Sequence, residues 1–191
     1  MSTQENIEKT FDENLFGLLL QQFSGNEGEL PMAIAYLTQA TNDTDSLRRS
    51  TLVRIAREKI KHANIVGAML LQMAQGRSGP LSTKFNQAEL TELLSKKGVQ
   101  NGNLERASSL LRNFKNSNTL EYSGRHYASD PLVYLKANIV TEEKQIAAYE
   151  MIAALTKESN FVSAVNYAKA RQILHRDEFI DLLRRAKENQ I

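Results

Sequence analysis

Two glutamate–histidine pairs share one spacing in this 191-residue chain: Glu29 with His62, and Glu142 with His175, each 33 positions apart. Carboxylate and imidazole together are donors for manganese, iron or zinc. The midpoint of the first pair falls in "NDTDS" (42–46) and that of the second in "TKESN" (156–160), both rich in capping and turn residues. If each stretch joins two antiparallel helices, residues equidistant from it face one another at one depth. Each hairpin then sets a glutamate opposite a histidine. In a Glu-x-x-His motif, one helix face offers a metal two ligands. Here the residue three before each histidine is Lys59 in "IAREKIKHANIV" (55–66) and Gln172 in the other half.

The elements that must position these groups are helical. Nine Gly and three Pro punctuate the chain, and alternating β-branched runs are scarce. Periodicity predicts helices over about 12–23, 29–41, 47–75, 131–155 and 161–187. Pro31 is tolerable in a first turn, and Asp130-Pro131 reads as a cap followed by the first helical position. Residues 87–116 read as two short helices broken at "KKGVQNGN", and "SNTLEYSGRHYASD" as a connection in which His126 lies at the surface. The predicted architecture is one all-α domain spanning 1–191. It has a hairpin over 29–75, a crossover over 76–130 and a second hairpin over 131–187, with short extra helices. Two hairpins joined by one long crossover make the ferritin-like four-helix bundle.

Each long helix carries an apolar stripe at three- and four-residue steps, interrupted at one level. Leu52, Ile55, Val66, Met69 and Met73 surround Lys59 and His62; Val165, Ala168, Phe179 and Leu182 surround Gln172 and His175. Leu135, Ile139, Ile146 and Tyr149 flank Glu142, and Met32, Tyr36 and Ala40 follow Glu29. Unpartnered, such groups would cost several kcal/mol each to bury. A metal ion or a closed ion-pair network is the compensation.

Composition excludes other chemistry. With no cysteine there are no disulfides, zinc–thiolate sites, iron–sulfur clusters or thiol nucleophiles. A net charge of +2 with interspersed signs gives no electrostatic case for nucleic acid or an anionic membrane, despite a pI near 8.8. No run of 18 apolar residues exists to span a membrane, and the polar start "MSTQENIEKTFDEN" is unlike a signal peptide, so a cytoplasmic location is expected.

Four segments resemble the manganese catalases and their spore-coat relatives. "LLLQQFSGNEGELPMAIAYLTQATND" (18–43) is similar to that family's first ligand segment: a Gly pair, Gly-Glu-Leu, then Tyr seven residues beyond the Glu. "IAREKIKHANIVGAML" resembles its Thr-Glu-Glu-x-x-His helix, "SDPLVYLKANIVTEEKQIAAYEMI" its Asp-Pro…Ala-Glu…Tyr-Glu segment, and "AKARQILHRDEFIDLLRRAKE" its Arg-Glu-x-x-x-His ending. The likeness covers 15–75 and 127–187. It implies a ferritin-like bundle, a dinuclear manganese centre, hydrogen peroxide disproportionation and a homo-oligomer, often a hexamer. Carried over, Glu29 and His62 would hold one metal, Glu142 and His175 the other, and Tyr36 would lie just outside. The bridging carboxylate falls at Lys59 and is absent. Glu58 points about 100° away on a face with Arg54 and Lys61, so it is expected not to substitute; Glu143 is also off the stripe.

Charge counting then opens three readings. Two divalent ions bring +4 against −2 from Glu29 and Glu142, and a protonated Lys59 adds repulsion. The first reading is a manganese-type catalase with an incomplete ligand set, its metal manganese or iron. The second is a metal-free or mononuclear member with a structural or binding role, its site closed by a Lys59–Glu29–Glu142 network that one protonated histidine makes neutral. The third gives catalytic roles to Lys59 and Tyr36, with Lys59 as a reactive amine or proton donor.

Overall fold

The computed structural model describes residues 11–77, 80–81 and 124–188. Helix α1 (Glu13–Ser24) begins at Asp12, whose carboxylate accepts the Leu15 N–H at 2.9 Å. A four-residue turn leads to α2 (Glu29–Asn42), and Asp45 caps α3 (Ser46–Ala74) through the Arg48 N–H. Gly76, at φ 62°, ends that helix in the left-handed conformation glycine adopts without strain. After a 3₁₀ turn (Gly124–Tyr127), Asp130 and Pro131 start α4 (Pro131–Leu155) as predicted, and α5 (Ser159–Glu188) follows a short turn. All five predicted helices are present, their ends within two residues of expectation. The two short helices predicted over 87–116 lie outside the described residues.

Helices α2 and α3 form one hairpin, α4 and α5 the other, and the two pack into the ferritin-like four-helix arrangement, with α1 laid across α3 and α4. Two apolar clusters fill the bundle. One contains Phe16, Leu19, Val66, Met69, Ile152 and Phe161; the other contains Met32, Leu52, Ile55, Leu135, Phe179 and Leu182. Between them lies a polar layer with no exposure to solvent. No helix among the described residues is long and apolar enough to cross a membrane.

One expectation about the connection fails. His126 is buried, with 4% exposure, rather than at the surface. Its Nδ1 lies 3.0 Å from Asn138 Oδ1, its Nε2 lies 3.2 Å from Thr141 Oγ1, and its carbonyl accepts from Gln39 Nε2. Burial pushes its pKa down, outweighing the Asn138 bond. The polar neighbours in sequence gave no sign of this because the partners come from α2 and α4. A second network clips the α2–α3 turn to α4: Asp43 accepts two bonds from Arg48 and one from the Tyr134 hydroxyl.

Candidate metal centre

The polar layer gathers the residues singled out in the sequence. Glu29 enters from the first turn of α2, Lys59 and His62 from α3, Glu142 from α4, and Gln172 and His175 from α5; all are at most 1% exposed. Glu29 Oε1 lies 3.7 Å from His62 Nδ1, and Glu142 Oε2 lies 3.6 Å from His175 Nδ1. The 33-residue spacing therefore does bring each acid to its imidazole, and the hairpins bring the two pairs together.

A pseudo-twofold relation runs further. Tyr36, seven residues after Glu29, donates to Glu142 Oε1 at 2.7 Å; Tyr149, seven after Glu142, donates to Glu29 Oε1 at 2.6 Å. Each tyrosine serves the other hairpin's glutamate. Burial and the adjacent carboxylate hold both phenols well above their ordinary pKa, so they remain donors. Tyr149 carried no assigned role in the sequence, although the repeated Glu-to-Tyr spacing could have disclosed it.

The symmetry breaks at Lys59. Its ammonium donates to Glu142 Oε2 at 2.8 Å, to Gln172 Oε1 at 2.5 Å and to Gln145 Oε1, so all three of its hydrogens have acceptors. Glu29 Oε2 is 3.5 Å from the same nitrogen and is otherwise without a hydrogen-bond partner. Gln172, the twofold counterpart of Lys59, turns its amide nitrogen to Glu29 Oε1 at 2.6 Å. Gln145 was not anticipated. It lies three residues after Glu142, and its amide nitrogen donates to the Glu27 carbonyl at 2.5 Å. Burial alone would raise the pKa of Glu29, but Lys59, His62 and Tyr149 together bring it down to about 2. Glu142 is lowered for the same reasons, burial being opposed by Lys59 and His175.

Glu58 lies off the stripe, as expected, yet it has a partner the sequence did not show. It does share a face with Arg54, 3.2 Å away, and it does not bridge the two pairs. Its carboxylate nonetheless reaches α5, lying 2.9 Å from His175 Nε2 and accepting two 2.8 Å bonds from Arg171. Despite partial burial its pKa falls to about 2 through these partners. His175 thus has an oxygen at each ring nitrogen, Glu58 Oε2 2.9 Å from Nε2 and Gln172 Oε1 3.3 Å from Nδ1. His62 Nδ1 lies 3.4 Å from the Gln172 amide nitrogen and 3.7 Å from Glu29 Oε1. Glu143 is exposed, as its place off the stripe required.

These residues do not fit a dinuclear cation centre. An ammonium lies between the two carboxylates, and the positions flanking it carry neutral amides. Two divalent ions would bring four further positive charges into a pocket whose buried carboxylates supply two negative ones. Among the described residues, no group of three or more His, Asp or Glu side chains is arranged to hold a metal ion. The carboxylate oxygen lacking a hydrogen bond, Glu29 Oε2, has the lysine charge beside it.

A cleft of about 440 Å³ runs from the surface toward this layer, between the α1–α2 turn and α4. Gln22 and Gln145 are among its lining residues. The first contacts Glu29 Oε1 at 3.4 Å and the second Lys59, so the cleft ends one side chain short of the buried charges.

The chain matches, over residues 6–191, the profile of a family described as manganese containing catalase. It is 21% identical over 183 residues to Protein CotJC of Bacillus subtilis (strain 168), covering 95% of this chain and 89% of that protein. Its fold is similar to crystal structures of KatB, a manganese catalase from Anabaena. The wild-type KatB structure is 21% identical with a TM-score of 0.66, and the match covers 96% of this chain and 78% of KatB. A second, of KatB from Anabaena PCC7120, is 22% identical with the same TM-score and coverage.

Proposed function

We propose, from the premise that this chain belongs to the manganese containing catalase family, that it is a non-catalytic member with a structural or binding role. Its buried centre is closed by Lys59 and does not carry out peroxide disproportionation. The observation that carries this reading is the position of the Lys59 ammonium, bonded to Glu142 and two glutamine carbonyls and 3.5 Å from Glu29. Peroxide disproportionation at a dinuclear centre needs two metals cycling together, bridged by a carboxylate. The sequence offers an ammonium at the bridging position and an amide at its twofold counterpart. Glu29 and Glu142 bring −2 and Lys59 brings +1, so the lysine offsets half of the buried negative charge without any added ion.

Ile34, Met151 and Tyr167 are each more than half exposed, and the oligomeric state is left to experiment. KatB is titled a manganese catalase, and the retained Glu29–His62 and Glu142–His175 pairs favour the competing reading, an active enzyme.

One experiment separates the two. The protein is produced with manganese in the medium, its metal content is measured by mass spectrometry, and oxygen release from hydrogen peroxide is followed. Well under one metal per chain and no turnover is the expected result. Two manganese per chain with peroxide turnover would overturn the proposal.

A further inference from the structure

The disagreement between the family's dinuclear centre and this one has a consequence for how the bundle is held together. Resting on the reading above, we infer that Lys59 does the mechanical work of a metal: its ammonium is the resident cation that joins the four helices. That one side chain makes the fold independent of metal. From α3, the ammonium bonds Glu142 and Gln145 on α4 and Gln172 on α5, and it lies 3.5 Å from Glu29 on α2. A single positive centre thus touches every helix of the bundle, at 0% exposure, between two apolar clusters.

Gln172 completes the exchange. Its carbonyl accepts from Lys59 while its amide nitrogen donates to Glu29 at 2.6 Å and faces His62. An acid there could not donate in this way and would add a third negative charge. Lys59 and Gln172 therefore act as one unit, charge at one position and a neutral relay at the other. Glutamate at position 59 would set three carboxylates together with no cation, leave Gln145 and Gln172 without their donor, and hand the task back to a divalent ion.

The test compares the full-length wild type with Lys59→Glu and Lys59→Met. Each is melted in EDTA and in excess manganese, and bound metal is counted. The wild type is expected to melt at the same temperature in both, whereas both variants in EDTA melt lower by about 10 °C or more. Manganese restores Lys59→Glu and binds to it stoichiometrically, and does neither for Lys59→Met. The inference is overturned if chelation lowers the wild-type melting temperature, if Lys59→Met melts with the wild type, or if Lys59→Glu folds and takes up no metal. Should Lys59→Glu fold under neither condition, Lys59→Met decides: a large loss upholds the inference and an unchanged melt overturns it. A wild type found free of metal and inactive, with Lys59→Met fully stable, would sink this inference alone. Manganese and turnover in the wild type would sink the functional reading as well.

Discussion

Nζ of Lys59 lies 2.8 Å from Oε2 of Glu142, a residue 83 positions further along the chain, with both side chains wholly buried. Removing one member of a buried pair leaves the other charge uncompensated, at a cost of about 3–5 kcal/mol. Lys59→Met and Glu142→Gln should each lose stability on that scale in urea denaturation. The double variant should lose clearly less than the sum, because neither lone charge then remains. Additive losses would show that the two side chains are stabilised separately.

Acid should unfold the protein through the same residues. The carboxylates of Glu29 and Glu142 are held below their ordinary pKa of 4.5, that of Glu29 at about 2. A depressed folded-state pKa gives stability that is complete above the unfolded value and lost as pH falls toward the folded one. Melting temperature should therefore vary little with these groups above pH 4.5 and fall between there and about pH 2. Lys59→Met removes the charge that lowers both groups, so its acid transition should begin at higher pH.

The crossed tyrosines should prove unequal despite their symmetry. Tyr36→Phe takes the donor from Glu142 Oε1 and should cost about 1–3 kcal/mol. Tyr149→Phe should cost less, because Glu29 Oε1 also receives Gln172 at 2.6 Å and Gln22 at 3.4 Å. Tyr167→Phe, at a position 54% exposed, serves as the control and should change stability by less than about 0.5 kcal/mol. Urea midpoints with a common slope would give the ranking directly.

Two glycines at and before the α1–α2 turn should respond in opposite directions. A Cβ at Gly28 would come within 2.8 Å of the Gln21 carbonyl oxygen and 2.9 Å of that of Gln22. Gly28→Ala must therefore displace the α1–α2 turn, pull Gln22 from Glu29 and lower the melting temperature. Gly17, inside α1, has nothing within 4 Å of the added carbon, so Gly17→Ala should stabilise by about 0.5–1 kcal/mol. Thermal melts of the two single variants suffice to check both signs.

Much of this molecule could be read along the chain. Asp12, Asp45 and Asp130 cap helices that the apolar spacing already delimited. The equal separation of Glu29 from His62 and Glu142 from His175 located the polar layer, because depth in a hairpin follows from distance to its turn. Lys59 announced itself as the misplaced charge, since any residue on the stripe must enter the core. Tertiary structure alone decided which atoms meet there. His126 is buried by residues of α2 and α4, Glu58 reaches His175 across to α5, and each tyrosine bonds the opposite hairpin's glutamate. Gln145 binds both Lys59 and the Glu27 carbonyl, a role its polarity did not reveal. Helical periodicity states which way a Cβ points and nothing of where a long, flexible side chain ends. That endpoint depends on the neighbouring helix, and the neighbouring helix is set by packing across the whole bundle.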